Sequence, residues 1–344
     1  MSESPKVALV GCGYWGKNLC RNFSALDALG MVVDSSESGR ETAVGLASQV
    51  PVVSAIGDAL GDPDLHAVAL ATPAETHADL AIRAMEAGAH VFVEKPLALT
   101  VEQAELVVEV AQHTKRKLVV GYILRHHPAW MRMIKEARAL GGPYVFRMNL
   151  NQQSSGSAWE IHKALMQTTS PIVDCGVHYV DVMCQVTDAD PVSVQGIGLR
   201  LSDEIAPDMY NYGQLQVKFS DGSVGWYEAG WGPMMSETAF FVKDIVSSNG
   251  SVSIVDSEKG ASSDVNGHTK VGGLLVHRSD KDEYITMSEE PGHQELCDAE
   301  QAFVLDCIEN DKDLTRHMKD AVVSFRICLA ADQSIKIGNP IYLT

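Results

Sequence analysis

The N-terminal part of the chain reads Val7-Ala8-Leu9-Val10-Gly11-Cys12-Gly13-Tyr14-Trp15-Gly16. An apolar run, a G-x-G-x-x-G motif and an amphipathic stretch in this order are typical of a strand, a tight turn and a helix that together bind a dinucleotide. Gly11 would permit the turn, Gly13 would let the backbone approach a pyrophosphate, and Gly16 would allow close packing of helix on strand. The alternative is a glycine-rich turn without a ligand.

Similar short apolar runs recur along the first third of the chain, separated by amphipathic segments rich in Ala, Glu and Leu. They are Met31 to Val33, Ala67 to Ala71, Val91 to Val93 and Leu118 to Val120. Strands and helices that alternate at this spacing indicate parallel βαβ units. The pattern predicts an α/β Rossmann dinucleotide-binding domain over residues 1–124.

The second half of the chain has a different pattern, with β-rich runs joined by tight turns. Asp221-Gly222 and Asn249-Gly250 each separate two such runs, one of which is Phe240 to Val246, and Asx-Gly pairs are strong hairpin signals. Helical stretches follow near 294–310 and 314–334. We predict an α+β domain over residues 125–344 with a large, mostly antiparallel, open-faced sheet, whose final segment can pack back on the first domain.

Charge and cysteine content exclude several classes of protein. Lys and Arg total 27 against 45 for Asp and Glu, a net charge of −18, whereas a nucleic-acid binder needs an excess of cations. Seven cysteines without a C-x-x-C pair fit neither a disulfide framework nor a zinc site. The sequence also lacks a signal peptide and any apolar run of about 20 residues, so we expect no membrane association and a cytoplasmic protein.

The second predicted strand ends in Asp34, 18 residues beyond Gly16. A carboxylate at this point accepts hydrogen bonds from the ribose hydroxyls of NAD and repels the 2′-phosphate of NADP. Arg40 is close enough in sequence to leave some tolerance for NADP. We therefore expect NAD as the cofactor and leave NADP open.

Two further segments follow strands of the same predicted sheet, at the edge where ligands of open α/β folds bind. Thr72-Pro73, with His77 soon after, comes directly after the run that begins at Ala67. Thr72-Pro73 can be a helix start, a cofactor contact or both, since Pro suits the first helical turn. Glu94-Lys95-Pro96 places a lysine at the end of a buried strand, which makes Lys95 a functional candidate.

A later helix carries a second candidate group. Ser170-Pro171 reads as the N-cap and first residue of a helix that runs to about Gln185. Asp174 and His178 then lie at positions i and i+4, on one face of that helix. Taken alone, the pair could be structural, with Asp174 complementing the helix dipole and His178 buried and hydrogen-bonded.

Taken together, these motifs resemble the glucose-fructose oxidoreductase, inositol dehydrogenase and rhizopine-catabolism (Gfo/Idh/MocA) family of nicotinamide oxidoreductases. The resemblance runs along nearly the whole chain and rests on Gly11 to Gly16, Thr72-Pro73 with His77, Glu94-Lys95-Pro96, Tyr122 to Pro128, Asp174-x-x-x-His178 and Ser334 to Leu343. The chain departs from the family pattern at His127, where an Asn is expected before the proline.

The resemblance implies hydride transfer between nicotinamide and a secondary hydroxyl or ketone of a sugar, sugar nucleotide or cyclitol. In the family the lysine and the Asp/His pair line one pocket. The hydroxyl proton must leave as hydride departs, so His178 is a candidate base, with Lys95 stabilising the alkoxide and Asp174 orienting the substrate. Family members differ over whether the lysine or the histidine moves the proton, and both remain open here.

We expect the first domain to bind the cofactor and the second to bind the substrate. The predicted cofactor residues are Gly11, Gly13, Tyr14, Trp15, Gly16, Asp34, Thr72, Pro73, His77, Glu94 and Lys95. The predicted substrate residues are Arg125, His127, Trp159 and Lys163. Asp174, His178 and Asp181 could instead be metal ligands, but hydride transfer to NAD needs no metal, so we expect none.

One predicted strand suggests an assembly surface. Its outer stripe, Tyr210, Tyr212, Gln214, Gln216 and Lys218, alternates with the apolar Leu215, Val217 and Phe219. The apolar face should cover helices, and the other face is either solvated or a subunit interface in a homodimer or homotetramer.

Two rival functions were weighed against a dehydrogenase. The first is a non-catalytic sensor that keeps the dinucleotide pocket as a ligand switch. The second uses NAD transiently to hydrolyse or epimerise a glycoside, which would yield no net NADH.

Overall fold

The computed structural model describes residues 4–236, 242–255 and 269–343. The chain forms two compact units: unit 1 contains Met1–Ile123 and Glu295–Val322, and unit 2 contains Leu124–Gln294 and Val323–Thr344. Unit 1 therefore takes in a segment that lies far beyond residue 124. Phe240, with which we expected one strand to begin, lies outside the described residues.

Unit 1 is built on a six-stranded parallel sheet. Its strands are β1 (Val7–Val10), β2 (Leu29–Val33), β3 (Val52–Val53), β4 (Ala67–Leu70), β5 (His90–Val93) and β6 (Leu118–Val120). Its first five helices are α1 (Gly16–Ala25), α2 (Glu37–Leu46), α3 (Ile56–Leu60), α4 (His77–Glu86) and α5 (Val101–Thr114). The strand order β3-β2-β1-β4-β5-β6 confirms the predicted Rossmann fold, in which the order reverses between β1 and β4 and a ligand binds beside their carboxyl ends.

The hydrophobic core of unit 1 also draws on the far end of the chain. Two long helices, α9 (His293–Glu309) and α10 (Thr315–Ile337), follow the last large strands, close to the predicted positions. Val304, Leu305, Cys307 and Leu314 belong to the same buried cluster as the side chains of β1. The first residues of the chain and its last long helices thus share one core.

Unit 2 is built on a nine-stranded sheet. Its strands are β7 (Tyr144–Gln153), β8 (Pro191–Leu199), β9 (Tyr212–Phe219), β10 (Val224–Gly232), β11 (Lys243–Ser247), β12 (Gly250–Val255), β13 (Gly273–Arg278), β14 (Lys281–Thr286) and β15 (Ile341–Tyr342). The order is β14-β13-β12-β11-β7-β10-β9-β8-β15, and each pair is antiparallel except β7 with β10. This confirms the mostly antiparallel sheet and the hairpins at Asp221-Gly222 and Asn249-Gly250.

Three helices belong to the same unit: α6 (Pro128–Leu140), α7 (Ser157–Leu165) and α8 (Pro171–Thr187). Helix α8 packs on one face of the sheet, where Tyr179 stacks on Tyr227 of β10 with ring centroids 5.0 Å apart. Alternate residues of β7, β8 and β10 form the other face, which leaves Val145, Ile197 and Val224 partly exposed.

The sequence-based assignment of Tyr210 to the outer stripe is wrong. Tyr210 precedes β9 and is buried, and its hydroxyl donates a hydrogen bond to Asp332 of α10. Its polar partner lies far along the chain, so the two-residue period could not reveal it. Across the residues that the model describes, no helix has the length and apolarity needed to cross a membrane.

Candidate active site

The glycine turn after β1 is shaped by backbone contacts. Gly11 has a φ of +90°, and a Cβ at this position would lie 2.7 Å from the carbonyl oxygen of Ala71. A Cβ on Gly16 would clash with the carbonyl oxygen of Gly11. A Cβ on Gly13, by contrast, would find no heavy atom within 4 Å. The open space beside the Gly13 backbone fits a pyrophosphate.

Asp34 closes the turn from the end of β2. Its carboxylate accepts hydrogen bonds from the backbone N–H of Cys12 at 2.7 Å and from the N–H and hydroxyl of Ser36 at 2.8 and 2.7 Å. Burial alone would raise the pKa of Asp34, but these hydrogen bonds and the nearby Arg40 hold it below its usual value. The strand therefore ends in a charged carboxylate, as a ribose site requires.

Two residues of this region were missed in the sequence. Ser36 caps α2 by accepting a hydrogen bond from the N–H of Gly39 at 3.1 Å, and a Cβ on Gly39 would clash with the carboxylate of Asp34. A serine before a helix is a readable capping signal, but the requirement for Gly39 is visible only once α2 lies against Asp34. The guanidinium of Arg40 donates to the carbonyl oxygens of Asp34 and Ser35, each at 2.9 Å.

Tyr14 and Trp15 lie at the start of α1 in different surroundings. The Tyr14 ring is 68% exposed, and the ammonium of Lys17 lies 5.3 Å from its centroid. Trp15 is half-buried, and its indole N–H donates to Glu94 Oε1 at 2.5 Å. This bond ties the glycine turn to the loop that follows β5.

Glu94 has a buried acidic neighbour that the sequence did not reveal. Glu300 of α9 is buried, and its Oε1 has no hydrogen-bond partner among the described residues. Burial, together with the charge of Glu94, raises the pKa of Glu300 well above its usual value. We infer that Glu300 is neutral at pH 7 while Glu94 accepts the Trp15 N–H.

His77 bridges the two loops that follow β4 and β5. Its Nδ1 lies 2.7 Å from the carbonyl oxygen of Pro96 and its Nε2 lies 2.8 Å from that of Thr72, while the Thr72 hydroxyl contacts that of Thr76 at 2.7 Å. Burial lowers the pKa of His77, against the two carbonyl contacts, which favour the protonated ring. His77 therefore fixes the loops that carry the Thr72-Pro73 and Glu94-Lys95-Pro96 segments.

Partial exposure singles out the three predicted catalytic residues. Residues 91–98 are buried except Lys95, whose peptide bond to Pro96 is cis. In α8, residues 171–184 are buried except Asp174 and His178, which lie one turn apart on the same face. Lys95 belongs to unit 1 and the Asp/His pair to unit 2, so their action on one substrate stays a prediction.

The start of α8 is held by a buried polar network. The Ser170 hydroxyl accepts the N–H of Val173 at 3.1 Å, which confirms the predicted N-cap, and donates to Asp332 Oδ1 at 2.8 Å. Tyr210 donates to the same oxygen of Asp332. This network fixes the first turn of α8, on which Asp174 lies.

The predicted substrate residues Arg125 and His127 both have protein partners within unit 2. Arg125 forms a two-pronged ion pair with the buried Asp181, through Nε at 2.9 Å and Nη2 at 2.5 Å. His127 is 1% exposed; its Nδ1 accepts the N–H of Ala129, which caps α6, and its Nε2 lies 3.0 Å from the carbonyl oxygen of Thr269. This burial favours a capping role for His127 over contact with substrate.

Trp159 and Lys163 lie together on α7. Trp159 is buried, and the Lys163 ammonium lies 5.9 Å from the centroid of one of its rings. Lys163 also forms ion pairs with Glu160 at 2.8 Å and Glu204 at 2.7 Å. Its charge is therefore balanced by protein carboxylates. Within the described part of the chain, no group of three or more His, Cys, Asp or Glu is arranged to hold a metal ion.

Comparison with known proteins was made after this geometry. Residues 5–122 match the family model described as "Oxidoreductase family, NAD-binding Rossmann fold", and residues 129–250 match the model described as "GFO/IDH/MocA C-terminal domain". Both matches agree with the division of labour expected between the two halves of the chain.

Individual relatives agree with these models. The chain is 27% identical over 297 residues to a scyllo-inositol 2-dehydrogenase (NAD(+)) of Bacillus subtilis, a match that covers 83% of this chain and 80% of that protein. It is 29% identical over 196 residues to a UDP-N-acetylglucosamine 3-dehydrogenase of Acidithiobacillus ferrooxidans, covering 56% of this chain and 58% of that protein. The crystal structure of apo scyllo-inositol dehydrogenase from Lactobacillus casei shares the fold, with a TM-score of 0.78, 18% identity and 99% of both chains covered.

Proposed function

We propose, from the premise that the chain belongs to the GFO/IDH/MocA family of NAD-binding oxidoreductases, that it transfers hydride between NAD and a secondary hydroxyl of a cyclitol or sugar. The observation that carries this proposal is the exposure of Asp174 and His178 on an otherwise buried face of α8. A polar pair one turn apart in a buried helix has a cost unless it faces a ligand.

The turn after β1 supports NAD as the cofactor. The open space at Gly13 fits the pyrophosphate, and the charged Asp34 fits an unphosphorylated ribose. When bound, NAD supplies the carbon that accepts hydride from the substrate. Trp15, Glu94 and His77 hold the loops that flank this site through the hydrogen bonds described above.

Each of the three partly exposed residues has a distinct proposed task. Lys95 donates a hydrogen bond to the substrate oxygen and stabilises its negative charge as hydride leaves carbon. His178 accepts the hydroxyl proton, or receives it from Lys95 if the lysine is the base. Asp174 accepts a hydrogen bond from an adjacent hydroxyl and so orients the ring. Removal of the proton and of hydride from one C–OH group leaves a ketone.

The substrate class rests on the relatives, which act on scyllo-inositol and on a UDP-sugar. A fluorescence screen for NADH formation with scyllo-inositol, myo-inositol, hexoses and UDP-sugars tests the proposal, with Lys95→Met as the inactive control. We expect NADH to accumulate with at least one of them. Product without net NADH would instead identify a transient redox cycle, and NADH binding without any turnover would identify a sensor.

We also propose that the chain forms a homodimer or homotetramer through the face of the unit 2 sheet opposite α8, in a cytoplasmic setting. Exposed apolar side chains on that face, such as Val145, Ile197 and Val224, support an interface. Light scattering on dilute protein tests it. A monomer mass down to micromolar concentration would refute the assembly without touching the proposed chemistry.

A further inference from the structure

A histidine of α7 that has no part in the proposed chemistry is held on two buried supports. The imidazole of His162 stacks on the indole of Trp231, with ring centroids 4.3 Å apart and an interplanar angle of 10°. Its Nδ1 lies 3.0 Å from the hydroxyl of Ser154. Trp231 is 1% exposed, whereas His162 keeps partial exposure, so the imidazole is the outer layer of a buried stack.

The supports of His162 reach Asp174 through side-chain contacts within unit 2. The indole N–H of Trp231 donates to Gln152 Oε1 at 2.8 Å. The thiol of Cys175 lies 3.6 Å from the same oxygen and 3.6 Å from Asp174 Oδ2. His162 and Asp174 therefore belong to one cluster, whose members come from α7, β10, β7 and α8.

We propose that His162 contacts a second hydroxyl of the substrate, near the one that Asp174 orients, and thereby selects among epimeric polyols. This inference rests on the proposed function, since it requires a polyol bound at Asp174. A neutral imidazole carries one donor and one acceptor, so it can pair with a hydroxyl whichever tautomer is present. The stack on Trp231 and the contact with Ser154 fix the ring plane before substrate arrives, which lowers the entropic cost of binding.

Selectivity follows from the directional nature of these hydrogen bonds. Epimeric polyols differ in the direction of one hydroxyl, so only one epimer places that hydroxyl within reach of a fixed imidazole. The other epimer leaves a half-buried polar group unpaired, and such losses discriminate more strongly than missing apolar contacts do. A purely structural His162 would only cover Trp231 and would not affect the choice of epimer.

His162→Phe separates these two roles, because phenylalanine keeps a flat ring on Trp231 and removes both nitrogens. We expect the KM for the preferred epimer to rise about tenfold, the worth of one hydrogen bond, while kcat changes less than about threefold. The ratio of kcat/KM between scyllo-inositol and myo-inositol should fall towards one. The Kd for NADH and the melting temperature should stay unchanged. His113→Phe, at an exposed position of α5, is the control.

Two variants keep the test decisive if His162→Phe is unstable. His162→Gln and His162→Leu both lose the stack, but only glutamine keeps a donor and an acceptor, so only His162→Gln should retain epimer preference. Equal preference in these two variants, or an unchanged KM and epimer ratio in a stable His162→Phe, overturns the inference while leaving the proposed function intact. A wild-type protein that binds NADH but oxidises no polyol overturns both.

Discussion

The turn after β1 in unit 1 and the surroundings of α8 in unit 2 are assembled in different ways. In the turn, Cys12 bonds to Asp34 only 22 residues away, and the glycines are required by backbone contacts. Around α8, Gln152 bonds to Trp231 across 79 residues, and the cluster draws on two strands and two helices. A site made of backbone within one βαβ unit can be read from a motif, whereas a site made of side chains on distant elements cannot.

The largest expected effect breaks the view that unit 1 only binds cofactor. Lys95→Met should lower turnover by a factor of about a hundred or more, because it removes a donor to the developing alkoxide. The Kd for NADH, measured by fluorescence, should change little. Lys135→Met, at an exposed position of α6, is the matched control. Near-normal turnover in Lys95→Met would rule out the proposed chemistry at this residue.

The second prediction concerns the chemistry of unit 2. If His178 is the base, the wild-type rate should fall about tenfold per pH unit on the acid side, since a protonated imidazole cannot accept the hydroxyl proton. His178→Ala should be slower at the optimum and should lack this limb. Steady-state kinetics across pH provide the measurement. An acid limb that persists in His178→Ala would transfer the role of base to Lys95.

A smaller effect sharpens the description of the turn after β1. Asp34→Ala should weaken NADH binding about tenfold and reduce the preference of the protein for NADH over NADPH, because it removes ribose hydrogen bonds and charge repulsion. Asp34→Asn keeps the shape and some hydrogen bonds, so its loss of affinity should be smaller. Fluorescence titrations with both cofactors check this. Equal affinity for NADH and NADPH in the unmutated protein would contradict the assignment of Asp34.

The smallest effect tests the buried carboxyl groups of unit 1. A Glu with a raised pKa holds its proton in the folded state, so folding loses stability as pH rises above about 4.3, the pKa in the unfolded chain. Glu300→Gln should therefore stabilise the protein at pH 7 by about 1 kcal/mol, and the gain should vanish near pH 4. Melting temperatures at both pH values, with the exposed Glu309→Gln as control, measure it. Destabilisation at pH 7 would show that Glu300 is ionised.

The sequence predicted elements whose signals are local. The strand runs, the Asx-Gly hairpins and the Ser170 cap of α8 all lie where the pattern placed them. Asp34 also has the expected position, because a parallel strand and the following helix fix where its end points. These features depend on backbone geometry and on residues near in sequence, so a single chain contains enough information.

Features that depend on distant partners could not be predicted. Tyr210 fits the two-residue period of β9 but bonds to Asp332 across 122 residues, and His127 lies inside a motif yet serves as a helix cap. The neighbours Glu94 and Glu300 come from opposite ends of the chain. Only the folded chain brings such groups together, and periodicity carries no record of it.

The shared core of unit 1 has a consequence for the order of events during synthesis. Val304, Leu305, Cys307 and Leu314 complete the cluster that contains β1, so the sheet formed by residues 7–120 cannot bury its full apolar surface until α9 is available. On the ribosome, domains generally fold in order from the N-terminus. Here the first unit to emerge waits for the end of the chain, while unit 2 strands leave the exit tunnel in between. The nascent protein thus carries a half-covered parallel sheet for most of its translation, a period in which chaperones have reason to bind it.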